Sequence, residues 1–169
     1  MSKSVELRVL AGIRLIAFDV DGVFTDGRFY LSNDGVESKA FSTQDGYGIR
    51  RLLQAGVAVA VISGRSSAAV DQRMQELGVQ HVVQGCKDKV AAFAEIATEL
   101  GVAEEHTAFV GDDIPDLPLL NNVAVSFAVA NAVAELREQC AYVTSSRGGS
   151  GAVREICDLI VAAKEQSGG

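Results

Sequence analysis

Short apolar runs rich in Val, Ile and Ala alternate along the chain with longer segments of helical period. The runs fall at 13–20, 57–63, 81–84, 106–111, 123–127 and 141–144, and the helical segments at 46–54, 67–77, 89–100, 117–121, 132–139 and 151–164. In the last of these, Val153, Ile156, Cys157, Ile160 and Val161 recur at i, i+3 and i+4, the stripe of an amphipathic helix. The runs are apolar at successive positions, as in strands buried on both faces. Strand and helix in alternation therefore predict an α/β fold, a doubly wound parallel sheet between helical layers.

One stretch breaks the alternation. GRFYLSNDGVESKAF places Asn33-Asp34-Gly35 between two strand-like pieces, a strong local hairpin signal. It predicts a β-hairpin flap over 27–42, projecting from the end of the first strand. No Pro- or Ser-rich linker and no internal repeat divides the chain. Residues 1–169 are thus expected to form one domain, closing with a Gly-rich tail and C-terminal helix over 147–169.

Composition narrows the partners. With 48% hydrophobic residues the chain can fill a core, and its net charge of −7 argues against a nucleic-acid groove or an anionic membrane surface. No apolar run approaches the ~18–20 residues of a membrane helix. The opening MSKSVELRVLAGIRL scatters charges and lacks an apolar signal core. Cys86, Cys140 and Cys157 are odd in number and far apart, which suits neither a disulfide framework nor a thiolate zinc site. A reduced, cytoplasmic protein is expected.

The polar residues gather where such folds bind ligands, beyond the carboxyl ends of the strands. The first run ends in Asp19 and Asp21, followed by Gly22, Thr25, Asp26 and Gly27. The second ends in Ser63-Gly64-Arg65, and the fourth in Gly111-Asp112-Asp113 with Asp116 close behind. A further loop, 84–89, adds Lys87 and Lys89. Two carboxylates ~4 Å apart repel by about 4 kcal/mol at an effective dielectric near 20, so the acidic cluster calls for a hard cation. Oxygen-only ligands on a rigid edge suit Mg²⁺. Ser63 and Lys89 supply a hydroxyl donor and a fixed positive charge for a phosphoryl group. Asp19 is the candidate nucleophile, because aspartate can form an acyl phosphate. Arg65 could hold a substrate carboxylate, and Thr25 either touches phosphate or shapes the turn into the flap. His81 and His106, at the opposite ends of their strands, read as structural, and Cys86 and Cys157 as small packing groups.

FDVDGVFTDG, ISGR, Lys89 and GDDIPD resemble, in order, the four motifs of the haloacid dehalogenase superfamily of phosphatases. Together with the flap, TQDGYGIRRL and RGGSGAVREICDLI, they are similar to a cap-less family within it, the 3-deoxy-D-manno-octulosonate 8-phosphate phosphatases, from Gly12 to Ala163. The resemblance implies a phosphomonoesterase that makes Kdo for lipopolysaccharide. Asp19 would be nucleophile and Asp21 general acid/base. Mg²⁺ would lie on Asp19, the Asp21 carbonyl and Asp112, with Asp113 as an orienting carboxylate and Ser63 and Lys89 on phosphate. It also implies a homotetramer in which a neighbour's flap and Gly-rich tail help close each site. Phosphatases of nine-carbon ulosonic acid phosphates share these motifs. A signalling receiver domain is the other alternative, but it lacks an acid/base in the place of Asp21. Two positions depart from the family pattern. Pro115 should shift a helix start, and Ser150 stands where the family often has a basic residue.

Overall fold

Six strands of the computed structural model, which describes residues 5–168, form one parallel sheet in the order β5-β4-β1-β6-β7-β8. The first four residues of the charged opening stretch and the last residue of the expected tail lie outside the described residues. The strands are β1 (Leu15–Phe18), β4 (Ala58–Ile62), β5 (His81–Val83), β6 (Thr107–Gly111), β7 (Val125–Ala128) and β8 (Tyr142–Val143). All four residues of β1 are fully buried, which is what a central strand covered on both faces requires. Each apolar run seen in the sequence became a strand, and among the described residues no separate cap covers the sheet.

Helix α2 (Thr43–Gln54) connects β1 to β4, and α3 (Ala68–Leu77) connects β4 to β5. From β5 the chain returns through α4 (Lys89–Leu100) to β6, on the other side of β1. Right-handed crossovers running first one way and then the other put these helices on opposite faces. The C-terminal α7 (Ala152–Ser167) packs on α2 and on the short α1 (Leu7–Ala11), while α4 packs on α5 (Leu117–Leu120). A further helix, α6 (Ala134–Gln139), joins β7 to β8. The winding direction reverses at β1, where the loops after β1 and β6 open side by side.

Helix α2 starts earlier than expected. The chain enters α2 at Thr43, because the Ser42 hydroxyl accepts from the Asp45 N–H. The first turn, TQDG, is polar, but Asp45 and Gly46 are buried, with Asp45 Oδ1 taking the Arg154 N–H at the head of α7 (3.0 Å). Pro115 stands in the turn before α5, which begins at Leu117 as read from the sequence. A 3₁₀ turn, Ile114–Asp116, precedes α5, with Asp113 as its cap.

The flap is a two-stranded hairpin, β2 (Tyr30–Leu31) paired antiparallel with β3 (Glu37–Ser38). Ser32 and Val36 close it, and Gly35, at φ +78°, makes the turn. Phe29, Tyr30, Leu31 and Val36 are exposed, so the flap leaves apolar surface uncovered.

Candidate active site

Sheet register sets the site. Phe18 pairs with Val61 and with Val110, so Asp19 stands level with Ile62 and Gly111, and Ser63 and Asp112 follow one residue beyond. The Asp19 N–H donates to the Val110 carbonyl (3.0 Å), extending the ladder to Asp19 itself. Above these strand ends lies an open cavity of about 570 Å³ that reaches Asp19, Asp21, Ser63, Arg65, Lys89 and Asp112.

Asp19, Asp112 and Asp116 each turn a carboxylate oxygen to one point, the three atoms within 4.8 Å of one another. Asp116 is 1% exposed. Its Oδ2 accepts the Asp112 N–H (2.9 Å) and the Asp113 N–H (3.4 Å), and its Oδ1 pairs with Lys89 Nζ (2.8 Å). Lys89 Nζ also meets Asp19 Oδ1 (3.1 Å), which takes the Val20 N–H as well (2.8 Å). Two glycines make the room. A Cβ on Gly111 would lie 2.6 Å from Asp116 Oδ2, and one on Gly22, at φ +86°, only 1.9 Å from Asp112 Oδ2.

Three carboxylates crowd this point, and the Lys89 ammonium meets two of them, Asp19 and Asp116. Burial, and then the Asp116 charge, raises Asp19 to about 6 in spite of Lys89. Burial, with Asp19 and Asp116 beside it, raises Asp112 to about 8. For Lys89, burial opposes the charged form, yet Asp19 and Asp116 outweigh it and the ammonium is strengthened. Such an oxygen-only, charge-deficient donor set, with its space cleared by glycine, fits a hard divalent cation.

Among the other expected residues, Ser63 is buried at the cavity wall, its Oγ accepting the Arg65 N–H (3.3 Å), with Gly64 exposed beside it. Lys87 is exposed and Lys89 turns inward, so position separates the two lysines. Asp113 is exposed, and its carboxylate caps the 3₁₀ turn through the Ile114 N–H (2.8 Å). Of the two aspartates expected in support, Asp113 and Asp116, the turn swings Asp116 inward beside Asp112 and Lys89. Thr25 is not at the cavity wall. Its buried Oγ1 accepts the N–H groups of Gly22 (3.2 Å) and Gly27 (3.1 Å), so of the two expected roles it has the turn-shaping one.

The Gly-rich segment packs on its own chain. Gly148 and Gly149 lie against the 22–26 loop of their own chain, where a Gly148 Cβ would stand 1.7 Å from the Gly22 carbonyl oxygen. The Gly149 N–H donates to Val23 (3.0 Å), and the Gly148 N–H to Asn131 Oδ1 (2.8 Å). These glycines brace the loop after β1 within the protomer. Ser150 is exposed.

Lys39, on the flap, was not anticipated. Its side chain is 1% exposed and forms ion pairs with Asp21 and with Glu37 (3.3 Å). Glu37 in turn holds Arg65 (2.8 Å), whose guanidinium sits 4.2 Å above the centre of the Phe29 ring. The available signal was the i, i+2 spacing of opposite charges, Glu37 and Lys39, which puts both on one face of a strand.

Known proteins share this fold. A family model described as haloacid dehalogenase-like hydrolase matches residues 80–156. The chain is 46% identical over 152 residues to the 3-deoxy-D-manno-octulosonate 8-phosphate phosphatase KdsC of Escherichia coli K12, covering 90% of this chain and 81% of that one. The crystal structure of the Yersinia pestis 3-deoxy-D-manno-octulosonate 8-phosphate phosphatase superposes with a TM-score of 0.93 at 44% identity, over 96% of this chain and 88% of the other. That of the Moraxella catarrhalis phosphatase, in complex with magnesium, phosphate and KDO, superposes with a TM-score of 0.92 at 41% identity, over 95% and 92%.

Proposed function

The chain belongs to the haloacid dehalogenase-like hydrolases, in the family of 3-deoxy-D-manno-octulosonate 8-phosphate phosphatases, and on that premise we propose that it hydrolyses this eight-carbon sugar phosphate to Kdo and phosphate, in the cytoplasm, for lipopolysaccharide. The observation that carries the reading is the grouping of Asp19, Asp112, Asp116 and Lys89 under one cavity. No helix among the described residues is long and apolar enough to cross a membrane.

Asp19 would hold the metal together with Asp112 and the main-chain carbonyl of Asp21, with Asp116 behind them. Bound magnesium supplies positive charge for the phosphoryl oxygens, as the magnesium and phosphate of the Moraxella relative suggest. The protein does the rest. Val20 and Lys89 fix the Asp19 carboxylate, which attacks phosphorus as the ester P–O bond breaks. Asp21 gives its proton to the departing sugar oxygen, then takes one from the water that hydrolyses the aspartyl phosphate, releasing phosphate and restoring Asp19. Lys89 and the Ser63 hydroxyl, whose proton is not engaged by its bond to Arg65, steady the phosphoryl oxygens. The cavity is open, and the exposed apolar flap supports a homotetramer in which neighbouring flaps cover it.

Arg65 carries the sugar-acid specificity in this reading. Its side chain is 49% exposed, and Glu37 and Phe29 hold the guanidinium at the cavity. Phosphate release is to be compared, with and without Mg²⁺, for the eight-carbon substrate, a nine-carbon ulosonic acid phosphate and p-nitrophenyl phosphate. A strong Mg²⁺-dependent preference for the first supports the proposal, and a preference for the second moves the substrate to the nine-carbon acids. Arg65→Ala is expected to raise KM for the sugar acid roughly tenfold or more, and to change KM for p-nitrophenyl phosphate little. Equal effects on both would remove the carboxylate contact.

A further inference from the structure

We propose that Lys39 is a positioning residue of the reaction, which sets the Asp21 carboxylate for proton transfer from within the flap. The inference rests on the reading of Asp21 as the acid and base. Asp21 lies in the turn after β1, and its side chain is 23% exposed at the cavity. Among the described residues, one side chain hydrogen-bonds it, Lys39 on Oδ1; the next cation, Arg65 Nε, is 4.0 Å from Oδ2. The ammonium thus holds one carboxylate oxygen and leaves Oδ2 for the leaving group and the water.

The burial of Lys39 separates this role from substrate binding. Its side chain is 1% exposed and does not reach the cavity wall, so it acts through Asp21. It is also tied from behind. Glu37 takes Lys39 on one oxygen and Arg65 on the other, so flap, acid and specificity residue form one chain of charges, Asp21–Lys39–Glu37–Arg65. A lysine that merely glued the flap to the body would need no link to the one carboxylate that moves protons. A buried ammonium between two carboxylates has one fixed geometry, and general acid catalysis depends on geometry before strength.

The leaving group gives the test. Protonation matters for an alkoxide and far less for p-nitrophenolate, and kcat/KM reports formation of the aspartyl phosphate. A series of alkyl and aryl phosphate monoesters would be run with wild type, Lys39→Met and Lys39→Arg at saturating Mg²⁺. Lys39→Met should lower kcat/KM for alkyl esters roughly 100-fold and for p-nitrophenyl phosphate less than tenfold, steepening the dependence on leaving-group acidity, with Lys39→Arg restoring most of the loss. Equal losses across the series, or a rise in KM alone, would overturn the assignment and leave Lys39 a structural pin. Should Lys39→Met fail to fold, Lys39→Gln, which keeps a polar end, carries the same comparison. Wild type that turns over simple monoesters but not the eight-carbon substrate would sink the substrate reading without touching Lys39.

Discussion

Asp19→Asn is expected to lower kcat/KM by a factor on the order of 10⁴ or more, because an amide oxygen cannot form the acyl phosphate of the proposed reaction. The fold should survive. Asparagine has the same shape, and Oδ1 can still accept from Val20 N–H and from Lys89. Removing one of three crowded carboxylates should also relieve the charge that helps hold Asp112 near 8. The metal-free variant should therefore melt no lower than metal-free wild type, while phosphate release is lost. Near-normal turnover of a folded Asp19→Asn protein would remove Asp19 as nucleophile.

Withdrawing the metal is the second large effect. Chelation is expected to abolish activity and re-addition of Mg²⁺ to restore it, with a pH signature in stability. In the metal-free chain Asp19 and Asp112 keep their protons up to about 6 and about 8, whereas both would ionise near 3.8 when unfolded. Between these limits the folded state binds more protons than the unfolded one, so metal-free stability falls as pH rises through the window. A cation that needs both carboxylates ionised binds best at the upper end. Mg²⁺ at about a hundredfold excess over Kd should raise Tm by roughly 5–10 °C at about pH 8, and by clearly less at about pH 5.5. A Tm gain that is the same at both pH values would show that these carboxylates do not hold the ion.

How far the site was legible follows from where each residue lies. Asp19, Ser63 and Asp112 end strands whose apolar runs are unmistakable, so their convergence could be read from the sequence together with the rule for parallel sheets. Asp113 and Asp116 could not be separated that way, being the same residue type three apart. A 3₁₀ turn turns Asp116 inward and leaves Asp113 on the surface as its cap. Lys39 looked like any solvated flap lysine, because its partner Asp21 lies 18 residues earlier on another element. The start of α2 was hidden for a related reason, since a polar first turn is buried only once α7 covers it. The five-residue α1, with Leu10 as its one buried position, is too short to show a period. What the chain conceals are pairings between distant segments.

The packing of Gly148 on Gly22 also bears on how the protein is made. The loop after β1 is among the first parts of the domain to leave the ribosome, yet its brace comes 126 residues later (148 − 22 = 126). The α2–α7 contact, with Asp45 at the head of α7, likewise waits for the far end. A nascent chain can pair β1 with β4, but it cannot set the loop after β1 until residues 148–149 have been synthesised. Chains stalled or cleaved short of that point should therefore be inert as phosphatases, with most of their strands already made.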